Sequence, residues 1–503
     1  MNIKEAKQEI KNTVLAYLAK DETGNYAIPI ERQRPVLLMG PQGIGKTAIM
    51  EQVARECGIN LVAYTITHHT RQSAIGLPFI KEKEYAGASY SVTEYTMSEI
   101  IAAIYEQIEN SGIKEGILFL DEINCVSETL APTMLQFLQY KTFGNHRIPE
   151  GFVIVTAGNP PEYNKSVRDF DIVTYDRVKR IDLQEDYNVW KEYAYRVGIA
   201  GSILSYLEIK KENFYSVVSD LDGKRFVTAR GWEDLSQMIL TYEKLQIPVT
   251  YELIVQYVQD EEIARDFSNY YELYHKYADT YQIPKILEGV IPQETLSLKN
   301  APFDEKLSLI GLIVESLNQE FRNYAYMLDK TKQVLEQLKF LREDLKAQRG
   351  TAMELLDRYA ETLNVKLAHE KKAGMISREE QKVQALVIAE IQKLKTMLAQ
   401  NGTNDPKNDF TLVKQRFDET EEKRKEAVVL TGEHLSNSFS FFGAVYGESQ
   451  EMVMFLSELS AGFYSIRFVQ ETGNEAYYKY NRLLLLKDRK EELKEDIMEL
   501  LSL

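Results

Sequence analysis

Residues 34–47 read RPVLLMGPQGIGKT, and the reading of this stretch decides the fold. Val36, Leu37, Leu38 and Met39 form a short apolar run, as a buried strand does. The run stops at Gly40, and a loop with Gly40, Gly43 and Gly45 leads into Lys46 and Thr47. Behind it, TAIMEQVAREC sets Ile49, Val53 and Cys57 on one face of a helix. Strand, G-x-x-x-x-G-K-T and helix in that order are the context of a P-loop. Glycines let the backbone turn tightly, so that its amides and the helix N-terminus face phosphate oxygens. Lys46 is placed to reach the outer phosphates, and the Thr47 hydroxyl to ligate Mg²⁺. The expected nucleotide-binding residues are therefore Gly40, Pro41, Gln42, Gly43, Ile44, Gly45, Lys46, Thr47 and Ala48. A glycine-rich turn with a chance lysine is the alternative, and the flanking strand and helix count against it.

Working outward, NLVAYTIT (60–67) is a second strand. HHTRQSAIGLPFIKEKEYAGASYSVTEYT carries short β-prone pieces at Leu77–Ile80 and Ser89–Val92, the pattern of an inserted hairpin. The helix MSEIIAAIYEQIENSG follows, with Gly112 placed to cap it. In EGILFLDEIN, the run Ile117–Leu120 is another buried strand that ends in Asp121 and Glu122. An apolar strand that delivers two adjacent acids gives Asp121 as a Mg²⁺ ligand and Glu122 as the general base on the attacking water. A fourth strand, FVIVTA, brings Asn159 to a strand C-terminus, where ligands bind in open parallel sheets. There Asn159 would orient water against the γ-phosphate. A fifth short strand lies around Arg180–Leu183. Alternating strands and helices point to a parallel sheet covered on both faces.

From Tyr187 the chain is helical. TARGWEDLSQMILTYEKLQ spaces Trp232, Leu235, Met238 or Ile239, and Tyr242 along a core face, with Arg230 in the first turn. Tyr270, Tyr274, Tyr277 and Tyr281 form one helical stripe, read as core. IPKILEGVIPQETLSLKNAPFD carries three prolines and reads as a linker. Between Glu305 and Glu426 the helices are long and charged, with Val334, Leu338, Leu341 and Leu345 at coiled-coil-like spacing. Breaks fall at Gly350, Ala373-Gly374 and 401–409. The C-terminal stretch is aromatic and apolar.

Sixty Lys and Arg against 76 Asp and Glu give a net charge of −16, which disfavours nucleic acid as a partner. Two cysteines, Cys57 and Cys125, cannot frame a disulfide scaffold and fit a reducing compartment. The N-terminal helix with Ile3, Ile10, Val14 and Leu18 is amphipathic rather than a signal peptide. No apolar run approaches the ~20 residues that span a bilayer, so the expected compartment is cytoplasmic, with no membrane partner. Neighbouring His68 and His69 lack an acid or Cys partner for a metal site.

GPQGIGKT, LFLDEIN, VTAGNPP, YDRVKR and TARGWEDL, in that order, resemble a AAA+ ATPase and specifically its MoxR branch, over roughly residues 1–290. The resemblance implies an α/β fold: a AAA+ P-loop core with a five-stranded parallel sheet between helices, a helical lid, then a mostly α-helical C-terminal region. The implied organisation is a core over 1–185, a lid over 186–295, a long-helix accessory region over 296–430 and an aromatic-rich module over 431–503. By matching position, Lys46, Thr47, Asp121 and Glu122 carry the Walker residues and Asn159 is sensor 1. Arg177 is the arginine finger acting on a neighbouring subunit, with Arg168 and Arg180 as fallbacks, and Arg230 is sensor 2. ATP, Mg²⁺, a homo-oligomeric ring taken as a hexamer, and a VWA-domain partner matured by chaperone-like remodelling follow by resemblance. No aromatic-hydrophobic-glycine pore loop is evident in THHTRQSAIGLPF, which departs from threading motors. The rival readings are a nucleic-acid-dependent motor and an ATP-bound scaffold without turnover.

Overall fold

The apolar run at 36–39 is strand β1 (Val36–Met39), with every residue buried and a parallel neighbour on each side. The computed structural model describes residues 1–68, 74, 76–143, 145–160, 170–220, 223–447 and 449–482. The chain divides into two units, Met1–Val189 with Lys366–Gln381, and Trp190–Val365 with Lys382–Leu503.

In the first unit, β1 joins β2 (Asn60–Thr65), β5 (Gly116–Asp121), β6 (Phe152–Gly158) and β7 (Lys179–Asp182) in one sheet. The order across it is β2–β5–β6–β1–β7, and all pairings are parallel, with Val36 beside Val155 and Thr65 beside Asp121. Alternate side chains of each strand feed opposite layers. Leu37, Leu118, Leu120 and Ile154 pack against Ile100 and Ile104 of α3 (Glu99–Ser111) and Phe137 of α4 (Ala131–Tyr140). Val36, Leu38, Phe119 and Val155 pack against Ile10 and Val14 of α1 (Ile3–Leu18) and Ile49 and Val53 of α2 (Lys46–Cys57). Because both faces are covered, the strands read as continuous apolar runs, and each fully buried Val or Leu contributes about 1.5–3 kcal/mol. This is the expected five-stranded parallel sheet between helices.

Helix α1 starts on a reciprocal cap: Glu5 N donates to Asn2 Oδ1 at 2.9 Å and Asn2 N to Glu5 Oε2 at 3.0 Å. The expected insert is an antiparallel hairpin of β3 (Pro78–Tyr85) and β4 (Ala88–Tyr95), turning at Ala86 and Gly87, both with positive φ. Gly112 caps α3 with φ 73°. The close approach at the start of β5 requires glycine, since a Cβ on Gly116 would sit 2.5 Å from the Phe152 ring. The second strand is shorter than expected, because residues 66–68 wind into a 3-10 turn.

Among its described residues, the second unit's regular structure is helical apart from the small hairpin Ser216–Asp220 with Gly223–Val227. Tyr206 of α5 (Gly201–Ile209), Trp232 of α6 (Ala229–Leu245) and Phe267 of α7 (Glu261–Tyr281) form an aromatic centre, with ring centroids 5.2–5.9 Å apart. On α6 the core position is Ile239, fully buried, rather than Met238. The tyrosine stripe of α7 faces inward: Tyr270 donates to Ser205 Oγ at 2.7 Å and Tyr274 to Glu315 Oε2 at 2.8 Å. The stretch at 283–304 is structured rather than a plain linker. Ile283–Leu287 is a short helix and Gln293–Asn300 a 3-10 helix, and Pro284, Pro292 and Pro302 each fall at or just before a helix start. Proline is tolerated there because those N–H groups have no intrahelical acceptor.

Helix α8 (Phe303–Lys346) runs for 44 residues. Its Val334, Leu338, Leu341 and Leu345 are buried against α9 (Ala352–Lys372) and α10 (Arg378–Asn401), through residues such as Leu355, Val387 and Ile391. Helix α11 (Pro406–Val445) runs unbroken through residue 430, and α12 (Gln450–Ala461) follows. The turn joining α9 and α10 belongs to the first unit. There His369 Nε2 donates to Asn110 O at 2.9 Å, and Gln107 Nε2 donates to Ala373 O at 3.3 Å. Among the described residues, no single helix is long and apolar enough to cross a membrane. One bent pair, Gln450–Ala461 with Phe463–Thr472, passes by length and composition, and its Phe455 and Phe468 are wholly buried.

Candidate functional site

The C-terminal edge of the sheet gathers the expected chemistry. β1 ends at Met39, and the chain turns at once into the P-loop. Gly40 is held close to the strand beside it, since a Cβ there would sit 2.6 Å from Leu183 Cβ. Gly43 and Gly45 take φ values of 73° and 95°, a region that L-residues with side chains rarely enter. These turns allow α2 to begin at Lys46 with its N-terminal amides at the sheet edge.

Lys46 is buried, at 8% exposure, and its ammonium spans the loop. Its Nζ donates to Gly40 O at 2.7 Å, Pro41 O at 2.8 Å and Asn159 Oδ1 at 2.8 Å. The P-loop lysine and the expected γ-phosphate-facing asparagine, 113 positions apart in the chain, are therefore in direct contact. Thr47 Oγ1 donates to Asp121 Oδ2 at 3.3 Å. A hydroxyl and a carboxylate oxygen at this separation are the hard oxygen donors that Mg²⁺ prefers, so the residues present fit that ion.

Glu122 follows with φ 56°, a left-handed conformation that costs a non-glycine residue roughly 1 kcal/mol or more. The turn is fixed on both sides. Glu122 N donates to Asp121 Oδ1 at 2.9 Å, and Cys125 N to Glu122 O at 2.9 Å. Strained backbone of this kind gathers at functional sites, where surrounding structure holds it. The Glu122 carboxylate points to the neighbouring strand end, where Thr67 Oγ1 donates to Oε2 at 3.1 Å.

Two residues of the site escaped the sequence reading. Thr67 lies in the 3-10 turn beyond β2, and β2 pairs with β5 so that Thr65 stands beside Asp121. Only that pairing brings Thr67 to Glu122. Asn124 is 2% exposed and clasps the main chain of Asn159: its Nδ2 donates to Asn159 O at 2.8 Å, and Asn159 N donates to its Oδ1 at 3.2 Å. The available signal was an amide side chain in DEIN at a strand end, a position otherwise suited to a small or apolar turn residue.

Within the first unit, Arg177 and Arg180 make contacts away from this cluster. Arg177 is exposed and donates to Gln139 Oε1 at 2.5 Å. Arg180 pairs with Asp182 at 2.8 Å and lies over the Tyr175 ring at 4.7 Å. Arg168 lies outside the described residues, as do residues 69–73 and Ile75 of the segment expected to lack a pore loop; the His68 side chain is likewise outside them. Arg230 sits exposed in the first turn of α6, behind a Thr228 cap that accepts from Gly231 N at 3.2 Å. Among the described residues, no group of three His, Cys, Asp or Glu side chains is arranged to hold a metal.

A family model described as ATPase family associated with various cellular activities (AAA) matches residues 36–175. The segment is AAA-like. It encloses the whole P-loop, the acidic pair and Asn159, and this supports an ATPase-type, nucleotide-binding core. Arg177 and Arg230 fall beyond the AAA-like segment. No curated protein matches the chain.

Proposed function

We propose that this protein hydrolyses ATP with Mg²⁺, as a MoxR-like AAA+ ATPase that remodels a partner protein. The observation that carries the reading is the meeting of Lys46, Asn159, Thr47, Asp121 and Glu122 at one sheet edge, from three separate stretches of chain. The P-loop amides and the Lys46 ammonium bind the phosphates; Lys46 exchanges one of its present acceptors for a phosphate oxygen. Thr47 and Asp121 hold Mg²⁺, which when bound neutralises charge on the phosphate oxygens. Glu122 takes a proton from the attacking water. Asn159, fixed through its main chain by Asn124, orients that water toward the terminal phosphate.

Arg177, exposed and outside the cluster, suits an arginine finger supplied to a neighbouring copy in a ring, a hexamer by the MoxR resemblance. Arg230 is the proposed sensor 2. That resemblance also extends the partner to a VWA-domain protein and the role to chaperone-like maturation.

The test is Glu122→Gln, which keeps shape and removes the base. It should bind ATP normally and lose at least about 100-fold in turnover, the span of general-base catalysis. Arg177→Ala, assayed beside it, should lose activity only where the wild type is oligomeric. Turnover in Glu122→Gln equal to the wild type would refute the assignment of the base.

A further inference from the structure

The second unit holds a cavity of about 240 Å³, built from residues that play no part in the nucleotide site. One wall is α8, where Gly311, Glu315, Asn318 and Arg322 fall at i, i+4, i+7 and i+11, a single helix face. The facing wall is α5, with Gly201, Leu204, Ser205 and Glu208. Two glycines admit charged heads into these walls. A Cβ on Gly198 would sit 2.0 Å from Arg322 Nη1, and one on Gly201 would sit 2.2 Å from Glu315 Oε2.

The three carboxylates that line the cavity already accept from the protein. Glu315 accepts from Gly201 N at 2.9 Å and from Tyr274 OH at 2.8 Å. Glu458 accepts from Lys191 at 2.5 Å and from the Tyr195 hydroxyl. Glu208 accepts from Lys191 at 2.6 Å and Lys211 at 2.9 Å. Two donors are left over. Asn318, 7% exposed, has no partner for Nδ2, and Arg322 has none for its buried Nε. The Arg322 guanidinium donates through Nη2 to Tyr195 O at 3.1 Å and lies 5.6 Å from the Tyr464 ring. Among the described residues, no carboxylate pairs with it.

A largely buried guanidinium without a counter-charge is costly, and unmet buried donors add to the cost. Both deficits are removed by one group, an anion with two acceptor oxygens. Burial pushes the Glu315 carboxyl above the usual carboxylate range, while Lys191 and Lys211 neutralise Glu208. Leu204, Ile310, Val314 and Met454 give the rest of the lining a largely apolar surface, with Ser205 and Gln319 among its polar members. A cavity of about 150 Å³ accepts benzene, so this one takes roughly eight to ten heavy atoms.

We propose that this cavity binds a small aliphatic carboxylic acid, its carboxylate against Arg322 and Asn318 and its chain against Leu204, Ile310 and Val314. The test is calorimetric titration of the full-length protein with sodium hexanoate and, separately, with hexan-1-ol. Hexanoate should bind one-to-one, at least about ten-fold more tightly than the alcohol, because hydrogen bonds to a charged group are worth that factor or more. Arg322→Met and Asn318→Leu should each lose about ten-fold in hexanoate affinity while leaving ATP binding unchanged. If one variant does not fold, the other variant and the wild-type ligand pair still decide. The proposal is overturned if hexanoate shows no binding up to about 10 mM, above the millimolar Kd expected for so small a ligand. It is equally overturned if hexan-1-ol binds as tightly, or if the folded variants bind hexanoate like the wild type.

Discussion

Replacing Asn124 tests whether the site is held from below as the structure indicates. Its side chain makes two hydrogen bonds, at 2.8 Å and 3.2 Å, both to the main chain of Asn159. Both residues are buried, at 2% and 5% exposure, so water does not replace the partners freely. Each orphaned buried group costs about 1–3 kcal/mol. In Asn124→Ala the vacated space is polar enough for a water to recover part of the loss, and about 2–4 kcal/mol is expected. For a unit of this size each kcal/mol lowers the unfolding midpoint by about 2–4 °C, so calorimetry should record a drop of about 5–15 °C. Asn124→Leu fills the same volume without hydrogen bonds and excludes that water, so its loss should be at least as large. ATP turnover should fall in both variants, because Asn159 Oδ1 is the group in contact with Lys46. The reasoning is refuted if both variants melt within a degree of the wild type and hydrolyse ATP at its rate.

Thr67→Val removes the hydroxyl that holds Glu122 Oε2 at 3.1 Å. It should lower kcat by about ten-fold with KM for ATP unchanged, as loss of a hydrogen bond that positions the base does, and Thr67→Ser should restore it; unchanged or faster turnover in the valine variant counts against a positioning role. Glu315 supplies a pH dependence. Burial raises its folded-state pKa, so the folded chain binds more protons than the unfolded one as pH rises above the ordinary carboxylate range, and stability falls through that window. Glu315→Gln removes the titration while keeping an acceptor for Gly201 N, so its stability relative to the wild type should rise as pH climbs above the ordinary carboxylate range; a difference independent of pH would show that Glu315 ionises normally.

How much was legible in the sequence follows from what each signal encodes. The P-loop is local. Its strand, glycines, lysine and helix are contiguous, and the backbone conformation each residue permits is a property of that residue, so 36–57 could be read directly. The acidic pair was legible for a similar reason: an apolar run buried on both faces cannot end in two carboxylates unless the strand end emerges at a functional edge. Asn159 needed one further step, the rule that parallel sheets bind ligands at their carboxyl edge. The stretch at 283–304 reads as a linker because it carries three prolines, yet each of them sits where a helix begins.

Tertiary structure alone decided the rest. The residues flanking β2 and β5 carry no record that these strands are neighbours, since every strand of a covered parallel sheet presents the same apolar faces. The order β2–β5–β6–β1–β7 is what brings Thr67 to Glu122, 55 residues away, and Asn124 to Asn159, 35 residues away. Likewise, Asn318 and Arg322 read in sequence as ordinary polar positions on a long helix. Asn318 Nδ2 and Arg322 Nε become donors without a partner in a cavity only because α5 packs against that face with glycines at the contact. The sequence determined which groups carry the chemistry of phosphate transfer, through local backbone preference and hydrophobic period. Which groups hold them in place depended on strand order and helix pairing, contacts between segments far apart that no local pattern encodes.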